Sequence, residues 1–131
     1  MDPLYPDPLY LGIDTATPYL ALALWSPGGG ALASYGEEVG RDHAKRLVGE
    51  LDRLMREAGV KRRELRGVAV GLGPGSYTGL RVGIASAKGL ARGLGVPLYG
   101  VSTLEAMASS SLATGQTAVV ALEAGRGRVY A

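Results

Sequence analysis

Gly71-Leu72-Gly73-Pro74-Gly75-Ser76-Tyr77-Thr78-Gly79-Leu80-Arg81-Val82-Gly83 joins an apolar run, Gly67 to Leu72, to a stretch of helical character. The run has the composition of a strand buried in a parallel sheet. Thr78 fits the N-cap of a helix that continues to about Leu94. A glycine-rich loop in this position lets backbone N–H groups and a helix N-terminus approach an anion or a second backbone closely. With a strand at Val96 to Val101, the segment makes a β-α-β unit with the usual right-handed crossover.

Three familiar loop chemistries fail on spacing. A dinucleotide fingerprint starting at Gly71 needs glycine where Ser76 stands, and Pro74 removes an amide donor from the turn. A Walker loop ending at Lys88 needs glycine at Ala87. A nucleophile elbow around Ser76 needs glycines at Pro74 and Thr78.

Outward from the loop, residues 1–8 contain three prolines and read as an extended tail. Strands are expected at Tyr10 to Thr15, Tyr19 to Ser26 and Ala31 to Val39. Pro27-Gly28-Gly29-Gly30 makes the second turn of this antiparallel meander. Asp42 can cap a helix over Asp42 to Ala58, with Leu47, Leu51, Leu54 and Ala58 on one stripe, Val48 and Met55 beside it, and Gly59 as its stop. Beyond the β-α-β unit come a helix at Thr103 to Leu112, capped by Ser102 or Thr103, a strand at Thr117 to Leu122, and a turn at Gly125 to Gly127. A meander followed by α-β-α-β is the order of a ribonuclease H-like lobe, the α/β unit duplicated in the actin, sugar kinase and heat-shock ATPase superfamily.

The chain has 131 residues, enough for one domain with a real core, and 47% of them are hydrophobic. The longest apolar runs are about seven residues, too short to span a membrane. No basic n-region precedes an apolar stretch, so a secretory signal is not expected. There is no cysteine, which excludes disulfides, thiolate metal sites and a cysteine nucleophile; a cytoplasmic setting is the expectation. Asparagine is absent and arginine outnumbers lysine eleven to three, a bias that suits a thermophilic source. Net charge is only +2, and the basic residues are scattered except for Lys61, Arg62, Arg63 and Arg66, which read as a solvated loop after a helix.

Gly12-Ile13-Asp14-Thr15-Ala16-Thr17, Arg41-Asp42-His43, the glycine loop, Gly100-Val101-Ser102-Thr103-Leu104 and the closing Gly-Arg-Val-Tyr together resemble the TsaB, or YeaZ, family from about Leu11 to Ala131. The resemblance implies a non-catalytic partner of TsaD in making threonylcarbamoyladenosine on tRNA, within a complex that includes the ATPase TsaE. ATP and magnesium are then used by the complex, and no cofactor is assigned to this chain. Contact with tRNA is expected to be indirect, and a homodimer is the other pairing the family implies. The family carries a second lobe, so residues 9–131 read as the first, with the second absent or truncated.

Candidate residues follow. Asp14, Thr15 and Thr17 resemble the first phosphate hairpin of actin-like ATPases, and Gly73, Gly75 and Ser76 would complete a phosphate cradle. Against this, Asp14 can order its turn through Asx-type bonds. No catalytic residue is expected, because Ser76, Tyr77 and Thr78 lack a base and an orienting group. His43 reads as a partly exposed histidine of the cap region or an interface, and one histidine makes no metal site. Gly79, Gly83, Ala87 and Ala91 recur every fourth residue, with Ala85, Gly89 and Gly93 as a second small-residue row. The first row is the expected partner interface, since small residues admit a second helix backbone. The alternative to a scaffold is an enzyme, an actin-like ATPase or small-molecule kinase lobe using Asp14. The older glycoprotease label of the family finds neither a triad nor a ligand set here.

Overall fold

The computed structural model describes residues 7–112 and 115–131. Three strands, β1 (Leu9–Asp14), β2 (Tyr19–Ser26) and β3 (Gly30–Glu38), form the antiparallel meander, followed by helix α1 (His43–Ala58). Strand β4 (Leu65–Gly71), helix α2 (Tyr77–Leu94) and strand β5 (Leu98–Val101) form the β-α-β unit. Helix α3 (Thr103–Ser111) and a hairpin of β6 (Leu122–Gly125) and β7 (Arg128–Tyr130) complete it. The main sheet runs β3-β2-β1-β4-β5, with β4 parallel to β1 and β5 parallel to β4.

Alternation decides which face is covered. Leu9, Leu11 and Ile13 of β1 with Leu20, Leu22 and Leu24 of β2 point to one side and share a core with Leu47, Leu51, Leu54 and Met55 of α1 and Ala87 and Ala91 of α2. Both helices therefore lie on that face. On the other, Tyr10 stacks beside Trp25 and Tyr99 at ring separations of 5.8 and 6.5 Å. Gly67 lies under these rings, where a Cβ would come 2.9 Å from Tyr10 Cδ1.

Local chemistry sets the element ends. Gly59 takes a left-handed φ of 70° and closes α1, while the Val60 amide returns to the Met55 carbonyl and its side chain enters the core. Asp42 stands at the α1 N-cap but makes no side-chain capping bond there. Val48, placed beside the apolar stripe in the sequence reading, points to solvent. The α2 cap is Ser76 and not Thr78: its backbone is extended and its Oγ accepts from the Gly79 amide at 3.2 Å. Ser102 caps α3 through the Glu105 amide.

The strand expected at Thr117 to Leu122 is corrected. Residues 116–121 have no regular structure, and pairing starts at Leu122, whose partner is Tyr130. Strand propensity without a neighbouring backbone makes no ladder. The tail expected over residues 1–8 lies outside the described residues except for Asp7 and Pro8, which are exposed.

Between α1 and β3, Arg46 donates to the Tyr35 hydroxyl and to Glu50 and lies 3.6 Å from Glu37. Burial pushes the Tyr35 phenol above its usual range against the pull of Arg46, and the bond to Glu50 raises the Arg46 guanidinium. No helix among the described residues is long and apolar enough to cross a membrane.

Candidate functional site

The carboxyl ends of β1 and β4 meet the N-terminus of α2, and six candidate residues, Asp14, Thr15, Thr17, Gly73, Gly75 and Ser76, gather there. Asp14 closes its own turn, one oxygen accepting from the Ala16 amide at 2.8 Å. Its other oxygen accepts from the Thr103 hydroxyl at 2.9 Å. Thr103 in turn accepts from the Gly73 amide at 3.1 Å and donates its own amide to the Gly73 carbonyl at 2.9 Å. The first residue of α3 thus ties the end of β1 to the glycine loop.

Glycines make this closeness possible. A Cβ at Gly71 would overlap the Asp14 carboxyl, and one at Gly75 would overlap the Ala16 backbone. The Ser76 amide donates to the Ala16 carbonyl at 2.8 Å. Thr15 is fully buried and donates its hydroxyl to the Gly79 carbonyl at 2.5 Å. Gly73 holds a φ of 93°, a left-handed conformation that side chains disfavour.

The row expected to meet a partner is corrected by the same contacts. A Cβ at Gly79 would overlap the Thr15 carbonyl, and one at Gly83 the Thr15 hydroxyl. Gly79, Gly83, Ala87 and Ala91 are the buried residues of α2, turned onto the chain's own sheet. The second row faces outward: Ala85, Gly89 and Gly93 are exposed, and nothing lies within 4 Å of a Cβ built at either glycine.

His43 is also corrected. It is 4% exposed, and its Nε2 faces the carbonyls of Thr17 at 2.9 Å and Tyr19 at 3.2 Å. Two acceptors require the proton on that nitrogen, so the ring pins α1 to the turn after β1. The Thr17 hydroxyl accepts from the Tyr19 amide at 3.2 Å. Sequence reasoning missed Thr103. The available signal was the pair Ser102-Thr103, since one hydroxyl suffices for the cap and leaves the other free to reach across.

Thr17, Gly75 and Ser76 line a cavity of about 560 Å³ whose far wall is Leu122, Glu123, Ala124 and Tyr130. Protein groups already occupy part of what a magnesium nucleotide would use here. Both Asp14 oxygens hold protein donors, and the Gly73, Ser76 and Gly79 amides are spent on protein acceptors. Among the described residues no three histidine, aspartate or glutamate side chains gather as a metal site.

This architecture defines a class, the ribonuclease H-like lobe of the actin-like ATPase superfamily. A RuvC from T. thermophilus, 14% identical, shares the fold at a TM-score of 0.53 over 78% of this chain and 69% of that one. A family model described as TsaD, tRNA N6-adenosine threonylcarbamoyltransferase, matches residues 32–131. The YeaZ structure from Pseudomonas aeruginosa superposes at a TM-score of 0.75 with 38% identity, over 79% of this chain and 48% of that chain. The Escherichia coli tRNA threonylcarbamoyladenosine biosynthesis protein TsaB is 38% identical over 122 residues, 92% of this chain and 52% of that protein. Within the family that the TsaD model describes, the chain belongs to the TsaB, or YeaZ, group. It spans about half the length of the curated relatives it matches.

Proposed function

We propose that this chain is the first lobe of a TsaB-type protein that takes part in tRNA threonylcarbamoyladenosine synthesis as a non-catalytic partner of TsaD, with TsaE in the same cytoplasmic complex. One observation carries the reading: the groups that would do chemistry at the β1 turn are already committed to holding the fold. Asp14 is bound by Ala16 and Thr103, Thr15 by Gly79, and His43 by two carbonyls. The only histidine is therefore not poised as a base for Ser76, whose hydroxyl caps α2.

The docking surface is the outward row of α2, Ala85, Gly89 and Gly93, where a partner helix can approach the backbone. The same surface serves a homodimer when TsaD is absent. Preferential binding to one TsaD conformation would supply the free energy by which a partner without chemistry raises activity. Light scattering after size exclusion, on the chain alone and mixed with TsaD, tests this. A stoichiometric complex, with ATP turnover only in the mixture, is expected. Magnesium-dependent ATP turnover by the chain alone, lost in Asp14→Ala, would favour the ATPase or kinase lobe instead.

A further inference from the structure

The basic run Lys61-Arg62-Arg63 with Arg66 has no task in the docking role above. A 3₁₀ turn at Arg62–Glu64 carries it from α1 into β4, at the end of the sheet opposite the glycine loop. Residues 52–66 hold six basic side chains against three acidic ones, more than the whole chain's net +2, so the chain's positive excess sits here. The nearby acids do not neutralise it. Asp52 takes Arg56 at 2.9 Å and Arg62 at 3.5 Å, and Glu57 lies 3.6 Å from Arg53. Glu64 Oε2 is buried without a partner. Lys61, Arg63 and Arg66 are exposed, and none has an ion pair among the described residues.

The C-terminus of α1 offers a competing account, since cations complement its dipole. That end carries only about half a negative charge, however, and Arg56 already stands in the last turn. Lys61, Arg62 and Arg63 border a depression of about 650 Å³ together with Asp52, Met55, Arg56, Gly59 and Val60, and Arg66 lies outside its lining. Along residues 49–71 no large apolar side chain is exposed, and the exposed Trp25 and Tyr99 belong to the ring cluster over Gly67 on the sheet face away from the helices, whereas a membrane-seeking surface interleaves such residues with its cations. A hydrated polyanion fits the patch better.

We propose that this pole binds the phosphodiester backbone of RNA by charge, without reading bases. The RNA is the tRNA on which the complex works, and in that identification the inference rests on the function proposed above. Guanidinium groups meet phosphate oxygens through paired hydrogen bonds, and release of condensed cations from the RNA drives the association. The contact is direct, where the sequence reading expected an indirect one.

The test titrates the 131-residue chain into a fluorescent tRNA transcript across a salt series. It is repeated with K61E/R63E/R66E and with K45E/R126E/R128E, which changes the net charge equally elsewhere. Three phosphate contacts give a log-log salt slope of about 2 to 3. The run variant should lose at least about tenfold in affinity at low salt and flatten that slope, while the control loses less than about threefold. Circular dichroism should show both variants folded. No tRNA binding, or equal losses in the two variants, overturns the inference. So does equal binding to phosphatidylcholine–phosphatidylserine vesicles that the run variant also loses, which would make the pole a membrane surface. TsaD docking is measured on the same proteins: docking with unaltered tRNA affinity in the run variant sinks this inference alone, whereas a wild-type chain that fails to dock sinks the functional reading.

Discussion

The Thr103 hydroxyl donates to Asp14 and accepts from the Gly73 amide, joining three segments distant in sequence. The residue is 2% exposed and its bond to the Gly73 amide is buried, so water cannot replace that bond, while Asp14 is half-buried. Thr103→Val keeps the shape and removes both bonds, leaving the buried Gly73 amide without its acceptor and one oxygen of the half-buried Asp14 short of a donor. Each such group costs about 1–3 kcal/mol. Thermal unfolding should therefore fall by about 2–4 kcal/mol in Thr103→Val and recover most of that in Thr103→Ser; an unchanged melting temperature in the valine variant would contradict the clamp. Asp14→Asn tests the other end, because the amide can still accept from one donor. A loss smaller than that of Thr103→Val is expected in the same measurement, since the Gly73 amide keeps its acceptor.

At the scale of elements, α2 carries two rows of small residues with opposite expected responses. Gly83→Ala puts a methyl group into the Thr15 side chain, an overpacking that costs about 1–3 kcal/mol, and Thr15→Ala in the same chain should restore part of the loss through coupling. Gly89→Ala meets open space and removes a residue that weakens helices, so a gain of about 0.5–1 kcal/mol is expected. Chemical denaturation of the two variants checks both signs. These rows also mark where the sequence stops being legible. The first helix was readable because Leu47, Leu51 and Leu54 recur with helical period, and the meander because strand-like runs flank the Pro27–Gly30 turn. The two rows of α2 share residue types and spacing, and only the arrival of Thr15 decides which is inward. His43 and Thr103 escaped for a similar reason: a polar side chain's partners lie on other elements, and hydrophobic period carries no trace of them. The glycine loop was legible as a close-approach device, but what approaches it is the chain's own β1 turn.

Across the whole molecule the two ends of the sheet differ in character. The end at the glycine loop is closed by hydrogen bonds among Asp14, Thr103 and the loop amides, and the opposite end collects Lys61, Arg63 and Arg66, which have no ion pair among the described residues. The outward row of α2 runs between them, bordered by Lys88 and Arg92, which are exposed. If that row is the docking surface, bulk placed on it must separate association from stability. Gly89→Leu adds a side chain where the free chain has room and a partner helix does not, so TsaD binding should weaken by at least about tenfold, a loss of about 1.4 kcal/mol, while the melting temperature stays level or rises. Gly83→Leu should do the reverse in the uncomplexed chain, lowering the melting temperature because the Thr15 side chain blocks the added volume. Titration calorimetry with TsaD and thermal unfolding of both variants give four readings. Full TsaD affinity in a folded Gly89→Leu chain would remove α2 from the interface and point to another surface of the lobe.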